Sequence, residues 1–227
     1  MKTIGLICEG VSEINVMETI LSRYLGDAFL INPIEPETIV ENGVRKQFSG
    51  GGWSRVLAHC NEQKFSEILQ LNDYLVVQID SDACEQYGVS PLDLNNRAKS
   101  PEELYAEIVS RLSSGLSEQF RLAFSGRILF AICFNEIECW LLPLFYTDDY
   151  RCRMHNCIFT LNRALARKNL PTIPSGDEKN SPNALKAYRK VLKSIKNKRL
   201  VEDLSAYNYG FSRLVADLHL LINQDDK

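Results

Sequence analysis

Three short apolar runs constrain the fold of this chain more than any other feature: Ile4-Gly5-Leu6-Ile7-Cys8, Leu75-Val76-Val77-Gln78-Ile79 and Ile128 to Phe134. Each has strand length, and each lacks the polar alternation of a strand with one wet face. Strands buried on both sides read this way because helices cover both faces of a parallel sheet. Helical stretches separate them. Ile14, Met17, Leu21, Tyr24 and Leu25 recur at helical spacing until Gly26 offers a stop, and Val56, Leu57, Cys60, Phe65, Ile68 and Leu69 predict one helix before the second run. Ser100-Pro101-Glu102-Glu103 is a capping box with proline at the first helical position, opening a helix that carries Leu104, Ile108, Leu112 and Leu116. The alternation predicts an α/β, three-layer fold with a mainly parallel central sheet.

Beyond Asn135 strand signals nearly vanish. Glu138 to Phe145, Phe159 to Arg167, Ala184 to Lys198 and Phe211 to Ile222 read as helices, with a loop at Pro171 to Asn183. The expected organisation is a core over 1–142 and a helical cap over 143–227. Ala28 to Phe48, with Pro33, Pro36 and Asn42-Gly43, reads as loop around a short strand at Thr38 to Val40. Ser49 to Gly52 reads as a flexible linker, and Glu85 to Ala98 as a polar loop.

At 227 residues and 45% apolar content the chain can bury a substantial core without staples. Seven cysteines without regular spacing, and a start at Met1-Lys2-Thr3 that runs into a strand, argue against a disulfide framework and a secretory signal. The expectation is a cytoplasmic protein. No apolar stretch approaches the roughly 20 residues that span a bilayer, so no membrane association is expected. A net charge of −3 gives no global electrostatic reason to expect tight, indiscriminate nucleic-acid binding. Lys186, Arg189, Lys190, Lys193, Lys196, Lys198 and Arg199 form a local basic concentration able to meet several phosphates or to stand as a solvated face.

The candidate chemistry lies where the strands end in acid. Glu9 follows the first run, and Asp80 and Asp82 follow the second. Residues two apart leave one face if the strand conformation persists, and a parallel sheet brings Glu9 to the same carboxyl edge. Carboxylates so grouped suit Mg²⁺, or Mn²⁺, and phosphoryl chemistry. Glu13, one helical turn on, is either a further ligand or a favourable charge at a helix N-terminus. Glu136 and Glu138 flank the third strand end, where one would approach the metals and the other face solvent.

Glu9-Gly10-Val11-Ser12-Glu13, Asp80-Ser81-Asp82 and Phe134-Asn135-Glu136-Ile137-Glu138-Cys139-Trp140-Leu141-Leu142, in that order, resemble the signature of the Toprim fold, and the third segment resembles the short bacterial RloB-like Toprim proteins of anti-phage defence. The likeness covers about Met1 to Leu142. It implies a metal-dependent nuclease acting on DNA or RNA. Glu9 would be a ligand or general acid/base, and Asp80 and Asp82 metal ligands. It also implies an ATPase partner protein encoded elsewhere. Lys190, Lys193 and Lys196 are the candidate nucleic-acid contacts, with Lys193 and Lys196 on one helix face able to stabilise transition-state charge. The alternatives are a non-catalytic interaction module of the same fold and a metal-dependent phosphohydrolase of small molecules. Oligomeric state is left open.

Weaker motifs point elsewhere. Cys152, His155 and Cys157 have the right chemistry for zinc but no familiar spacing and no fourth ligand. Gly50-Gly51-Gly52 is followed by no Gly-Lys-Ser/Thr, so it is not a Walker loop. His59, His155 and His219 accompany no nucleophile turn. Tyr207-Asn208-Tyr209-Gly210-Phe211 could stack bases but is expected to pack.

Overall fold

The computed structural model describes residues 1–41, 44–48 and 50–224. Strand β1 (Lys2–Ile7) passes through Glu9-Gly10 into helix α1 (Val11–Leu25), which buries the stripe Ile14, Met17, Ile20, Leu21, Tyr24 and Leu25. Gly26 ends it at φ 70°, where a Cβ would be strained.

The stretch from Ala28 to Phe48 holds more structure than its sequence suggests. It builds β2 (Phe29–Glu35), paired parallel with β1, and a hairpin of β3 (Thr38–Glu41) and β4 (Val44–Gln47). Pro33 argues for loop because proline cannot donate to a ladder, but β2 is the sheet edge, where one side needs no partner. Asn42-Gly43 and Ser49 lie outside the described residues. The hairpin is tied to α1 by a bidentate pair in which Arg45 donates to Glu18 at 2.7 and 2.9 Å.

The single helix expected next is two, α2 (Trp53–His59) and α3 (Glu62–Leu71). The break falls at Asn61, whose side chain accepts the Lys64 N–H and caps α3. Strand β5 (Tyr74–Asp80), helix α4 (Pro101–Leu112) with both arms of its capping box formed, helix α5 (Glu118–Ala123) and strand β6 (Ile128–Cys133) follow.

Among the described residues the central sheet is all parallel, in the order β2-β1-β5-β6. Strand periodicity divides its side chains between two cores. Val76, Leu129, Ala131 and Cys133 face α1 and the C-terminal helices, whereas Leu75, Val77, Ile79 and Ile132 face α2 to α5. The result is a three-layer α/β fold.

After β6 the chain forms a 3₁₀ helix, Ile137–Leu144, with Pro143 inside. Helices α6 (Cys157–Arg167), α7 (Pro182–Leu192), α8 (Lys198–Ser205) and α9 (Tyr209–Gln224) complete the chain. Leu161, Tyr188, Val201, Phe211 and Leu214 of these helices share one core with Ile4, Met17 and Val76. The 142/143 boundary falls inside the 3₁₀ helix. Helix α7 stops well short of the expected Lys198, because Ile195 turns into the core and Asn197 caps α8 by accepting the Leu200 N–H.

Tyr207 to Phe211 is a packing element. Phe211 stacks on Trp140 at 4.4 Å, the Trp140 Nε1–H donates to Asn208 Oδ1 at 3.1 Å, and Gly210 lies so close to the Ile132 carbonyl that no Cβ would fit. A disulfide joins Cys139 to Cys157, correcting the expectation drawn from cysteine spacing. The two are 18 apart in sequence, and only the docking of α6 against the 3₁₀ helix makes them neighbours. Among the described residues no helix is long and apolar enough to cross a membrane.

Candidate active site

Strands β1 and β5 are parallel neighbours, with Ile7 opposite Val77, so both end at the same edge of the sheet. A closed set of hydrogen bonds forms there. The Asp80 N–H donates to Glu9 Oε1 at 2.7 Å, the Glu9 N–H donates to Gln78 Oε1 at 3.2 Å, and Gln78 Nε2 donates to Asp80 Oδ1 at 2.8 Å. Gln78 orients both acids. It is fully buried in an otherwise apolar run, and that interruption was the sequence signal that could have marked it. Gln78→Leu should cost about 1–3 kcal/mol by leaving the Glu9 N–H and one Asp80 oxygen without their partner. Chemical denaturation measures it, and an unchanged midpoint would remove Gln78 from this role.

Asp82 reaches the site by a different route from the one its spacing suggests. β5 ends at Asp80, and residues 81 and 82 lie in a turn, held where the Asp82 N–H donates to the Asn135 carbonyl at 3.1 Å. Asp82 nevertheless lines the same cavity of about 580 Å³ as Glu9, Glu13 and Asp80. Gly51 and Gly52 line it too. The Gly52 N–H donates to the Glu9 carbonyl at 2.7 Å, and Gly51 has no space for a Cβ against that carbonyl, so this stretch is part of the site rather than a linker.

Lys179 is a second site residue that the sequence did not disclose. It sits in a 3₁₀ turn, Gly176–Asn180, within the stretch read as loop. Its Nζ lies 2.7 Å from Glu13, 3.1 Å from Glu138 and 4.0 Å from Asp80. Asn180 beside it accepts from both the N–H and the hydroxyl of Ser12, tying this turn to the start of α1. Nothing in the sequence around Lys179 marks it, because the cluster is assembled from residues far apart along the chain, Glu13, Asp80, Glu138 and Lys179.

Burial and charge set the protonation states. Burial, reinforced by Glu13 and Asp82, pushes the Glu9 carboxyl up to about 8, against the lowering effect of its Asp80 hydrogen bond and of Lys179. Burial likewise raises Asp80 well above the usual carboxylate range, with Lys179 opposing and Glu9 and Glu13 adding to the rise. Glu13 is also desolvated, but Lys179 and the Ser12 hydroxyl outweigh that and hold it below its ordinary value. The Lys179 ammonium pays the same burial cost, and Glu13 and Glu138 more than restore it, raising its pKa.

The remaining candidates divide. Glu138 is fully buried, pairs with Lys179 and accepts the Tyr188 hydroxyl, while its Oε2 has no hydrogen-bond partner. Glu136 does not line the cavity and is only half-buried. It accepts the Ile158 N–H at 2.8 Å at the start of α6, where a helix N-terminus favours a carboxylate. Lys190 and Lys193 are exposed and line a separate cavity with Lys186 and Arg189. Lys196 lies in the connection after α7, so Lys193 and Lys196 do not share a helix face, and the cation at the acids is Lys179. Cys157 is committed to its disulfide and Cys152 is an exposed free thiol, which breaks up the zinc grouping with His155.

Among the described residues, no three His, Cys, Asp or Glu side chains stand as a ready-made metal cage. The donor set still suits Mg²⁺ or Mn²⁺, which bind through one or two carboxylates plus waters and substrate phosphate rather than all-protein cages. Glu9, Asp80 and Asp82 are the residues that would hold the ion. Comparison of the chain with protein-family models, with curated proteins and with solved structures returns no match.

Proposed function

We propose that this protein is a Mg²⁺- or Mn²⁺-dependent nuclease of Toprim type that hydrolyses phosphodiester bonds of DNA or RNA. The observation that carries this reading is the convergence of Glu9, Glu13, Asp80 and Asp82, from separate parts of the chain, on one open cavity at the carboxyl edge of a parallel sheet. A divalent ion held there supplies charge neutralisation at the phosphate and acidifies a bound water. Burial holds the Glu9 carboxyl near 8 before an ion binds, so loading the site releases a proton close to neutral pH. Lys179 fixes Glu13 and Glu138, and its ammonium adds positive charge beside the phosphate position. The exposed Lys186, Lys190 and Lys193, which line a separate cavity, offer a basic surface suited to a phosphate backbone.

The Toprim resemblance further supports a role as the effector of a cytoplasmic anti-phage system, working with an ATPase partner. A non-catalytic module is the second reading, and Lys179 is what favours it: the ammonium offsets carboxylate repulsion that would otherwise call for a metal ion. Incubation of the protein with plasmid, single-stranded DNA and tRNA, with and without Mg²⁺ or Mn²⁺, separates the two. Metal-dependent cutting supports the nuclease, and its absence on all three supports the module.

Cation binding must displace the Glu9 proton. Its affinity should therefore rise about tenfold per pH unit for each proton released as pH climbs toward about 8. Calorimetric titration with Mn²⁺ across that range reads the slope, and a pH-independent affinity would exclude Glu9 as a ligand.

A further inference from the structure

We infer that a second cavity, adjoining the acidic one at Asp82, receives a single unstacked nucleobase next to the bond being cut. The preferred substrate is then single-stranded or looped nucleic acid. This inference rests on the nuclease reading and specifies its substrate.

The second cavity has a volume of about 310 Å³, at the lower end of the range for small-ligand sites and enough for one heterocycle with its sugar. Asp82 lines both cavities, so a group in the second lies one residue from the proposed phosphate position. Its lining is mainly apolar, with Asp82, Glu85 and Lys99 as its charged members. Leu104 from α4 and Met154 from the loop before α6 offer deformable apolar surfaces of the kind that grip an extruded base, above the buried Phe134 that follows β6.

Hydrogen-bonding groups converge at its edge. Asn135 has a left-handed backbone at φ 64°. The Asn135 N–H donates to Ser81 Oγ at 2.8 Å, and its carbonyl accepts the Asp82 N–H at 3.1 Å. These bonds brace Asn135 and Asp82 against each other, so a base edge bonded to the Asn135 amide is kept in register with a phosphate at Asp82. A carboxamide offers a donor and an acceptor side by side, as recognition of a base edge requires. His155, exposed, lines the same cavity and adds a ring that can stack. A duplex meets this arrangement poorly, because its bases are paired and stacked and must first be flipped out.

The test uses wild-type protein with Mg²⁺ or Mn²⁺ on a short single strand, on the same strand with an abasic site moved along it, on its duplex, and on the base-free diester bis-p-nitrophenyl phosphate. Removal of the base at one position beside the cut should lower kcat/KM by about tenfold, the value of one base stack, and the duplex should be cut more slowly than the single strand. Leu104→Trp, which fills the cavity, should bring the intact-to-abasic ratio close to one, with Met154→Trp as a second variant. Equal cutting of intact and abasic strands by wild type overturns the base cavity while leaving the nuclease reading intact. If neither the strands nor bis-p-nitrophenyl phosphate is hydrolysed, the nuclease reading fails and the inference fails with it.

Discussion

Lys179→Met should lower the stability of the folded chain by about 3–5 kcal/mol at neutral pH, the usual cost of stranding buried charge by removing one partner. Lys179 touches Glu13 and Glu138 directly and approaches Asp80, and these three are buried. The sign of the pH dependence follows from the two shifts. Glu13 is lowered in the fold, so its contribution is present above the ordinary carboxylate pKa and is lost as pH falls through the folded value. Lys179 is raised, so its contribution is present below the ordinary lysine pKa and is lost as pH rises through the folded value. The pair stabilises between those limits. The deficit of the variant should therefore shrink in acid, where the stranded Glu13 carboxylate takes up a proton. Denaturant unfolding of both proteins at neutral and mildly acidic pH measures this, and a deficit that stays constant would show that the variant loses packing rather than charge compensation.

Glu9→Gln and Asp80→Asn should each reduce metal-dependent cleavage by about 10²–10³-fold or more, the range seen when one group that stabilises the transition state is removed. Both variants should fold. A glutamine oxygen at position 9 can still accept the Asp80 N–H, and an asparagine oxygen at position 80 can still accept from Gln78. What each loses is the negative charge that a divalent cation needs. Cleavage rates, read beside circular dichroism spectra that should match wild type, test the pair. Cleavage that persists in both variants would move the chemistry away from this edge.

Much of the architecture is legible along the chain, because burial on both faces and helical spacing are local patterns. The runs ending at Glu9 and Asp80 state where two central strands stop, and Ser100 to Glu103 announces α4 to the residue. Elements whose identity depends on their neighbours are harder to read. Pro33 disguises β2 until its place at the edge is known, and the helix from Val56 to Leu69 is one or two according to whether Asn61 caps. Glu136 and Glu138 look equivalent in sequence, yet one caps α6 and the other joins Lys179.

Local patterning determined that this chain is a parallel, helix-covered sheet with acids at its carboxyl edge, because strand periodicity, caps and apolar runs act over a few residues. Tertiary structure alone decided which cation meets those acids, that Gln78 orients them, that Cys139 finds Cys157, and that Asp82 borders two cavities. The physical reason is range: each of these depends on groups brought within a few ångströms by packing of the whole core, and no short stretch of sequence encodes that proximity.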